Sequence, residues 1–449
     1  IIFKLNFIQI LMKKILAIAF LALTFCALNA QEINFVEYDL SNGLHVILHQ
    51  DNSAPVVSTT LQYHVGSKDE DEGLKGFAHL FEHMLGKETK NMESGAWGKI
   101  YSARGGSGNA STSVDLTNYY VTVPSNSLKL ALWRYSELML HPIIEQSTID
   151  IQREAVKEEK RLRDNQPYSP RFYEYIKRNL FTNHPYQHPI IGYLEDLDSS
   201  SLEDFLNFKK KFYPPSNAVF VIAGDIDIDE TKKLVSEYFD DVPYDGEKPV
   251  KIYPKEDPLT EEIRVKEYDP NIQIPALFYA FRTPAQSNRD SRVIDYIAQY
   301  LSGSESSVLY KKLVDEKQMA LGVQSFNIEQ EDYSLFTIFI LPQGETTLEE
   351  LVLEVEVEIE KIQNELISDK NYQKVQNTFE NSYVSSLASV TGRSQALARY
   401  YHMYNDASII NKLPDIYKSI SKEEIKSVAN KHLRKNQRLI MEYLPETKE

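Results

Sequence analysis

The chain has 449 residues, 42% hydrophobic and 25% charged, an ordinary globular profile with room for two or three domains of about 100–200 residues each. Its net charge of −16 excludes a phosphate-neutralising nucleic-acid surface and a polybasic membrane patch. A single cysteine, Cys26, excludes an internal disulfide framework and a cysteine-ligated metal site.

Residues 1–30 read as a secretory signal peptide. Lys13 and Lys14 precede an apolar run from Ile15 to Phe25, and the small residue Ala30 stands before Gln31. Met12 reads as the start. The apolar run is short for a bilayer span of about 20 residues. A lipoprotein signal through Cys26 is opposed by the bulky Phe25 before it. No later stretch is long and apolar enough to span. The expectation is an exported mature chain without a transmembrane span, in the periplasm or outside the cell.

Residues 38–49 read as a hairpin with Asn42-Gly43 at its turn, and residues 56–65 as a strand. A strand at 119–124 closes on Pro124, and helical stretches follow at 128–140 and 147–163. Ser201 caps a helix with an acidic first turn, which leads through Asn217 into a strand at 218–223. The same plan returns later. A strand at 335–342 closes on Pro342, helices follow at 348–366 and 369–387, and Ser421 caps a helix leading into 439–441. The two prolines are 218 residues apart and the two caps 220, which suggests a duplication. The fold class is α+β: two duplicated domains, each an antiparallel-rich sheet packed with helices. The expected domains are 31–244 and 263–449, joined by a Pro- and charge-rich linker at 245–262.

The segment Gly76-Phe77-Ala78-His79-Leu80-Phe81-Glu82-His83 carries the chemistry. On a helix, residues four apart share a face, so His79 and His83 can offer two imidazoles to one zinc ion. Glu82 lies beside them and can take a proton without binding the metal; the order His-x-x-Glu-His is the inverzincin motif. A third protein ligand is required. Read as a helix, residues 152–162 place Gln152, Ala155, Val156, Glu159 and Leu162 on one largely apolar face, and Glu154 and Glu158 on a charged one. A carboxylate on a buried face needs a cation, which selects Glu159 over Glu158.

These residues resemble the pitrilysin/insulinase family of zinc metallopeptidases, in which a glutamate ligand follows the motif by about 76 residues. Glu159 lies 76 beyond His83. The resemblance extends through Val65-Gly66-Ser67, the Gly105–Ser113 segment, Asp115-Leu116-Thr117-Asn118-Tyr119-Tyr120, His188-Pro189-Ile190-Ile191-Gly192 and Tyr213-Pro214-Pro215-Ser216-Asn217. It implies that His79, His83 and Glu159 hold one Zn2+ and that Glu82 is the base acting on zinc-activated water. It further implies that Asn109, Ala110 and Ser111 form an edge strand pairing with substrate backbone. The family builds a closed chamber from two two-domain halves.

Two positions depart from the family pattern. Self-sufficient members carry an Arg and a Tyr, seven apart, in the second half; here Asp315 and Gly322 occupy those places, and no Arg occurs between Arg292 and Arg393. The chain therefore resembles the zinc-bearing subunit of a pair, with a paralogous subunit supplying the Arg/Tyr pair; a homodimer is the alternative. Gln152 replaces the usual Glu seven residues before the glutamate ligand, keeping hydrogen bonding but losing charge. The leading expectation is a zinc endopeptidase acting on unfolded peptides. A non-enzymatic assembly or peptide-holding subunit is the second reading, although such members generally lose the zinc motif. A metal-stabilised binding protein, the third, would need a closed four-ligand site.

Overall fold

Asn42 and Gly43 turn the chain as a hairpin requires. Gly43 adopts a φ of +86°, and the Asn42 side-chain oxygen Oδ1 accepts from the Leu44 N–H at 3.1 Å. Strand β1 (Val36–Asp39) thereby pairs antiparallel with β2 (His45–Gln50). The computed structural model describes residues 32–168, 171–243 and 247–446; the expected signal peptide, Cys26 included, lies outside them. All elements below belong to one unit, Phe35–Glu449.

Four more strands complete the first sheet: β3 (Val56–Tyr63), β4 (Ser107–Thr112), β5 (Thr117–Pro124) and β6 (Ala218–Gly224), in the order β1-β2-β6-β3-β5-β4. The second sheet holds β7 (Ile263–Asp269), β8 (Ala276–Pro284), β9 (Ala320–Ile328), β10 (Tyr333–Pro342) and β11 (Arg438–Pro445), in the order β7-β11-β8-β10-β9. Apart from β1, the two orders correspond strand for strand. In each, one pair is parallel, β2 with β6 and β7 with β11, and the rest are antiparallel. The paired prolines end β5 and β10, and the paired serines cap equivalent helices.

The longer helices of the first half are α1 (Phe77–Leu85), α2 (Leu128–Leu140), α3 (Gln146–Asp164), α4 (Arg171–Leu180), α5 (Leu202–Phe212) and α6 (Ile228–Phe239). Those of the second are α7 (Arg289–Ser302), α8 (Leu348–Asn364), α9 (Asp369–Ser386), α10 (Val390–Tyr404), α11 (Ile409–Lys418) and α12 (Lys422–His432). Strand β3 explains why helices are needed on both sides. Alternate side chains point to opposite faces. Val57, Leu61 and Tyr63 enter the core with α1, α2 and α5, while Ser58, Thr60 and Gln62, also buried, point the other way.

That second face is covered by a helix from the other half. On α10, Ser394 bonds Thr60 at 2.9 Å and Ser58 at 3.1 Å, Thr391 bonds Thr122 at 2.7 Å, and Tyr401 stacks on His45. The exchange is reciprocal. Ile176 and Leu180 of α4 join Phe278, Leu335 and Met441 of the second sheet in one apolar cluster, and Phe172 stacks on Phe278 at 4.6 Å. Residues 247–262 have no regular secondary structure, yet they are pinned. Tyr253 and Lys251 bond Asp69, and the Glu256 carboxylate accepts from the N–H groups of Thr182, Asn183 and His184.

A buried ammonium joins the halves. Lys68, 2% exposed, lies 2.9 Å from Asp115 in the β4–β5 turn, and 2.6 and 2.9 Å from Glu331 and Asp332 in the equivalent β9–β10 turn. Burial pushes the Glu331 carboxyl upward, but the His64 hydrogen bond and the Lys68 charge outweigh it and hold it well below the usual range. A carboxyl lowered by folding stabilises above its unfolded pKa and loses that contribution as pH falls. Removing one partner of a buried ion cluster leaves the others uncompensated, so Lys68→Met should cost about 3–5 kcal/mol. The urea midpoint at pH 7 measures this. The wild-type midpoint should fall on acidification below about pH 4.5, and more steeply than that of the variant.

Candidate metal centre

Helix α1 begins at a left-handed residue, Gly76, with φ +94°; a Cβ there would meet the Ile191 carbonyl oxygen at 2.5 Å. The buried Glu70 carboxylate accepts from the N–H groups of Gly76 and Ala78, both at 2.8 Å, and so satisfies the helix start. Phe77, Leu80, Phe81 and Met84 turn one side of α1 into the core, where Phe77 and Phe81 meet Phe205 and Phe208. His79 and His83 are left to face Glu159 of α3, and Glu82 to face Thr112 of β4.

The imidazoles of His79 and His83 have centroids 4.8 Å apart. Glu159 Oε2, from α3, lies 3.8 Å from His79 Nε2 and 3.4 Å from His83 Nε2. The three donor atoms lie within 4.8 Å of one another, the one group of this kind among the described residues. Arg163, one turn beyond Glu159, pairs with its other oxygen. Burial, with help from His83 and Arg163, pushes the His79 pKa down to about 3, so the ring is neutral and able to act as a ligand. His79 Nδ1 is buried without a partner.

The Glu82 carboxyl is pushed up to about 7 by burial; the Thr112 hydroxyl, donating to Oε2 at 2.7 Å, partly offsets this, and the Glu159 charge adds to it. Glu82 is thus poised to exchange a proton near neutral pH.

An open cavity of about 500 Å³ lies over these groups. Strand β4 forms one wall and is the outermost strand of its sheet, so one row of its backbone groups has no strand partner. Asn109 and Ser111 are exposed; Gly108, Ala110 and Thr112 lie on the α1 side, half-buried. The cavity brings together His79, Glu82, His83, Asn109, Ala110, Ser111, Gln152 and Glu159.

The expected buried face of α3 needs correction. Gln152 and Val156 are buried, but Ala155 is exposed and Leu162 is 60% exposed. The stripe covered by α1 is narrower than the helical period allows and ends near Val156, and Glu159 sits at its rim with a side chain 28% exposed. Glu154 and Glu158 are solvated, as expected. Every residue lining the cavity lies between His79 and Ile190, so Asp315 on the helical segment Lys311–Glu316 and Gly322 on β9 contribute nothing to it. Thr112, Arg134 and Arg163 line it and were not foreseen. Arg163 had a legible signal, its i,i+4 spacing from Glu159, and Thr112 continues the two-residue alternation from Ala110.

Two family profiles match the chain: "Insulinase (Peptidase family M16)" over residues 45–193, which holds the metal-ligand cluster, and "Peptidase M16 inactive domain" over residues 199–379. The zinc protease PqqE of Helicobacter pylori is 27% identical over 404 residues, covering 89% of this chain and 90% of that protein. The crystal structure of a protease from Helicobacter pylori matches with a TM-score of 0.85 at 26% identity, covering 92% of this chain and 99% of that one. Pitrilysin shares the fold, with a TM-score of 0.77 at 19% identity over 92% of this chain and 45% of its own. The chain belongs to the insulinase/pitrilysin family, peptidase family M16.

Proposed function

We propose that the chain is a zinc endopeptidase that cleaves unfolded peptides, as the zinc-bearing subunit of a two-subunit enzyme. The observation that carries this reading is the convergence of His79, His83 and Glu159 beside a raised Glu82 under an open edge strand. Two imidazoles and a carboxylate are the donor set of an open catalytic zinc site, with the fourth position left to solvent. No fourth His, Cys, Asp or Glu joins the cluster among the described residues, which disfavours the closed four-ligand reading.

Zinc, when bound there, supplies Lewis acidity toward the scissile carbonyl and acidifies water. Glu82 does the proton work. Its Oε2 is held by Thr112, and Oε1 accepts a proton from the attacking water and returns it to the leaving amine. Strand β4 offers its free N–H and C=O groups to an extended peptide, which explains a preference for unfolded substrate. Asn109, Ala110 and Ser111 border that edge.

The cavity draws on the first half alone, and its second-half counterparts Asp315 and Gly322 cannot stabilise an oxyanion. A paralogous subunit with an Arg/Tyr pair would complete the site; a homodimer is the weaker alternative. The signal-like segment before Gln31 supports export to the cell envelope. No helix among the described residues is long and apolar enough to cross a membrane. The intact donor set and Glu82 weigh against a purely structural subunit.

The test is cleavage of a quenched peptide mixture by the zinc-loaded chain, alone and with its paralogue. Cleavage should rise sharply when the paralogue is added. Glu82→Gln should lower it by about 10²–10⁴-fold while one zinc per chain is still bound. His83→Ala should lose the zinc as well as the activity, read by metal analysis. Zinc-loaded protein that cleaves nothing in either format would sink the peptidase reading.

A further inference from the structure

Arg134 is the unexplained charge of this cavity. It lies on α2 among Ala131, Leu132 and Tyr135, and is only 5% exposed. Its guanidinium carbon lies 5.7, 5.3 and 5.6 Å from the ring centroids of Trp97, Tyr101 and Tyr135. Nε and Nη1 are both buried and neither has a hydrogen-bond partner. The neighbouring carboxylate, Glu137, is occupied by Thr89 and Asn91 instead. A guanidinium keeps its charge at any ordinary pH, and burying it unpaired is unfavourable. Aromatic faces offset part of that cost but satisfy no N–H.

The same cavity supplies no carboxylate for it. Its acidic residues are Glu82 and Glu159, one assigned to proton transfer and the other a metal ligand already paired with Arg163. Lys87, one turn beyond His83, adds a second exposed cation to the lining. On β4, the side chains turned toward α1 next to Thr112 are Ala110 and then Gly108, small residues that leave room for a substrate side chain. The pocket is thus cationic in a chain whose net charge is −16.

Resting on the peptidase reading, we propose that Arg134 is a specificity-determining residue that binds a carboxylate of the peptide substrate. The carboxylate is either an Asp or Glu side chain or the free C-terminus. A guanidinium N–H makes a charge-assisted hydrogen bond with either.

Both tryptophans of the chain, Trp97 and Trp133, stand here with ring centroids 5.2 Å apart, so intrinsic fluorescence reports binding at this pocket. The zinc-loaded Glu82→Gln chain is titrated with matched peptides carrying Glu or Gln at successive positions, each with a free or amidated C-terminus. One Glu position, or the free C-terminus, should bind about 10–100-fold more tightly than its neutral counterpart. Which of the two does so identifies the source of the carboxylate. Arg134→Met should abolish the difference and Arg134→Lys should keep part of it, with thermal melts confirming that both fold. Equal affinity for all charged and neutral pairs in the parent chain overturns the proposal even if both variants misfold. So does a preference that survives Arg134→Met. Cleavage without any carboxylate preference would remove Arg134 and leave the peptidase reading standing. An Arg134-dependent preference in a chain that cleaves nothing would do the reverse.

Discussion

The Lys68 ammonium is the point through which the halves and the candidate site hold one another. Its own segment, from Gly66 to Glu70, is clamped to the β4–β5 turn by the N–H groups of Ser67 and Lys68, which donate to the carbonyls of Ser113 and Val114 at 3.1 and 3.0 Å. A Cβ on Gly66 would stand 2.4 Å from the Val114 carbonyl carbon, so the approach needs glycine. Two residues beyond Lys68, Glu70 caps α1 and so sets where His79 and His83 point. On the other side, Asp115 anchors β4, whose Thr112 reaches Glu82. The ion cluster therefore fixes both walls of the cavity from behind, while its remaining anions come from the second half. Replacing such a cluster by apolar groups can be neutral for stability elsewhere. Here its value lies in register: it brings two equivalent turns onto one charge.

Electrostatics inside the cavity follow from burial acting on opposite charge types. Burial disfavours the charged form, so it lowers the histidine and raises the glutamate. Both shifts favour the chemistry proposed: a neutral imidazole is a ligand, and a carboxyl near neutrality can take and return a proton. Arg163 and Thr112 keep these carboxylates in place, the first on Glu159 and the second on Glu82.

Local signals carried most of what was legible in the sequence. The histidine spacing, the serine caps, the prolines ending β5 and β10 and the Asn42-Gly43 turn are each decided by neighbours within a few residues. The duplication was legible because two such signals recur at nearly one offset. The exchange of α4 and α10 was not. Both helices pack across the halves, and α10 does so through hydroxyl groups on Ser394 and Thr391, which in sequence look like an ordinary solvated face. The segment at 247–262 reads as a free linker for the same reason, since its anchors are carboxylate and phenol contacts to distant backbone and side chains. Leu162 misled in the opposite sense: helical period predicts which side chains share a face, but not how far the neighbouring helix extends to cover them.

The two halves also differ in how they treat buried charge. Of the three buried arginines among the described residues, two belong to the second half and both are paired with carboxylates. Arg292 pairs with Glu329 and Asp295 and touches the hydroxyls of Tyr404 and Tyr417. Arg438 pairs with Glu262 and Glu356 and bonds Tyr279. The third, Arg134, belongs to the first half, and its buried Nε and Nη1 have no hydrogen-bond partner. Buried polar groups are normally satisfied, so an exception calls for a ligand or a function. One duplicated plan has thus been completed in two ways. The second half closes its buried arginines on carboxylates and phenols. The first leaves the Arg134 guanidinium open beside the cavity that the proposed chemistry uses.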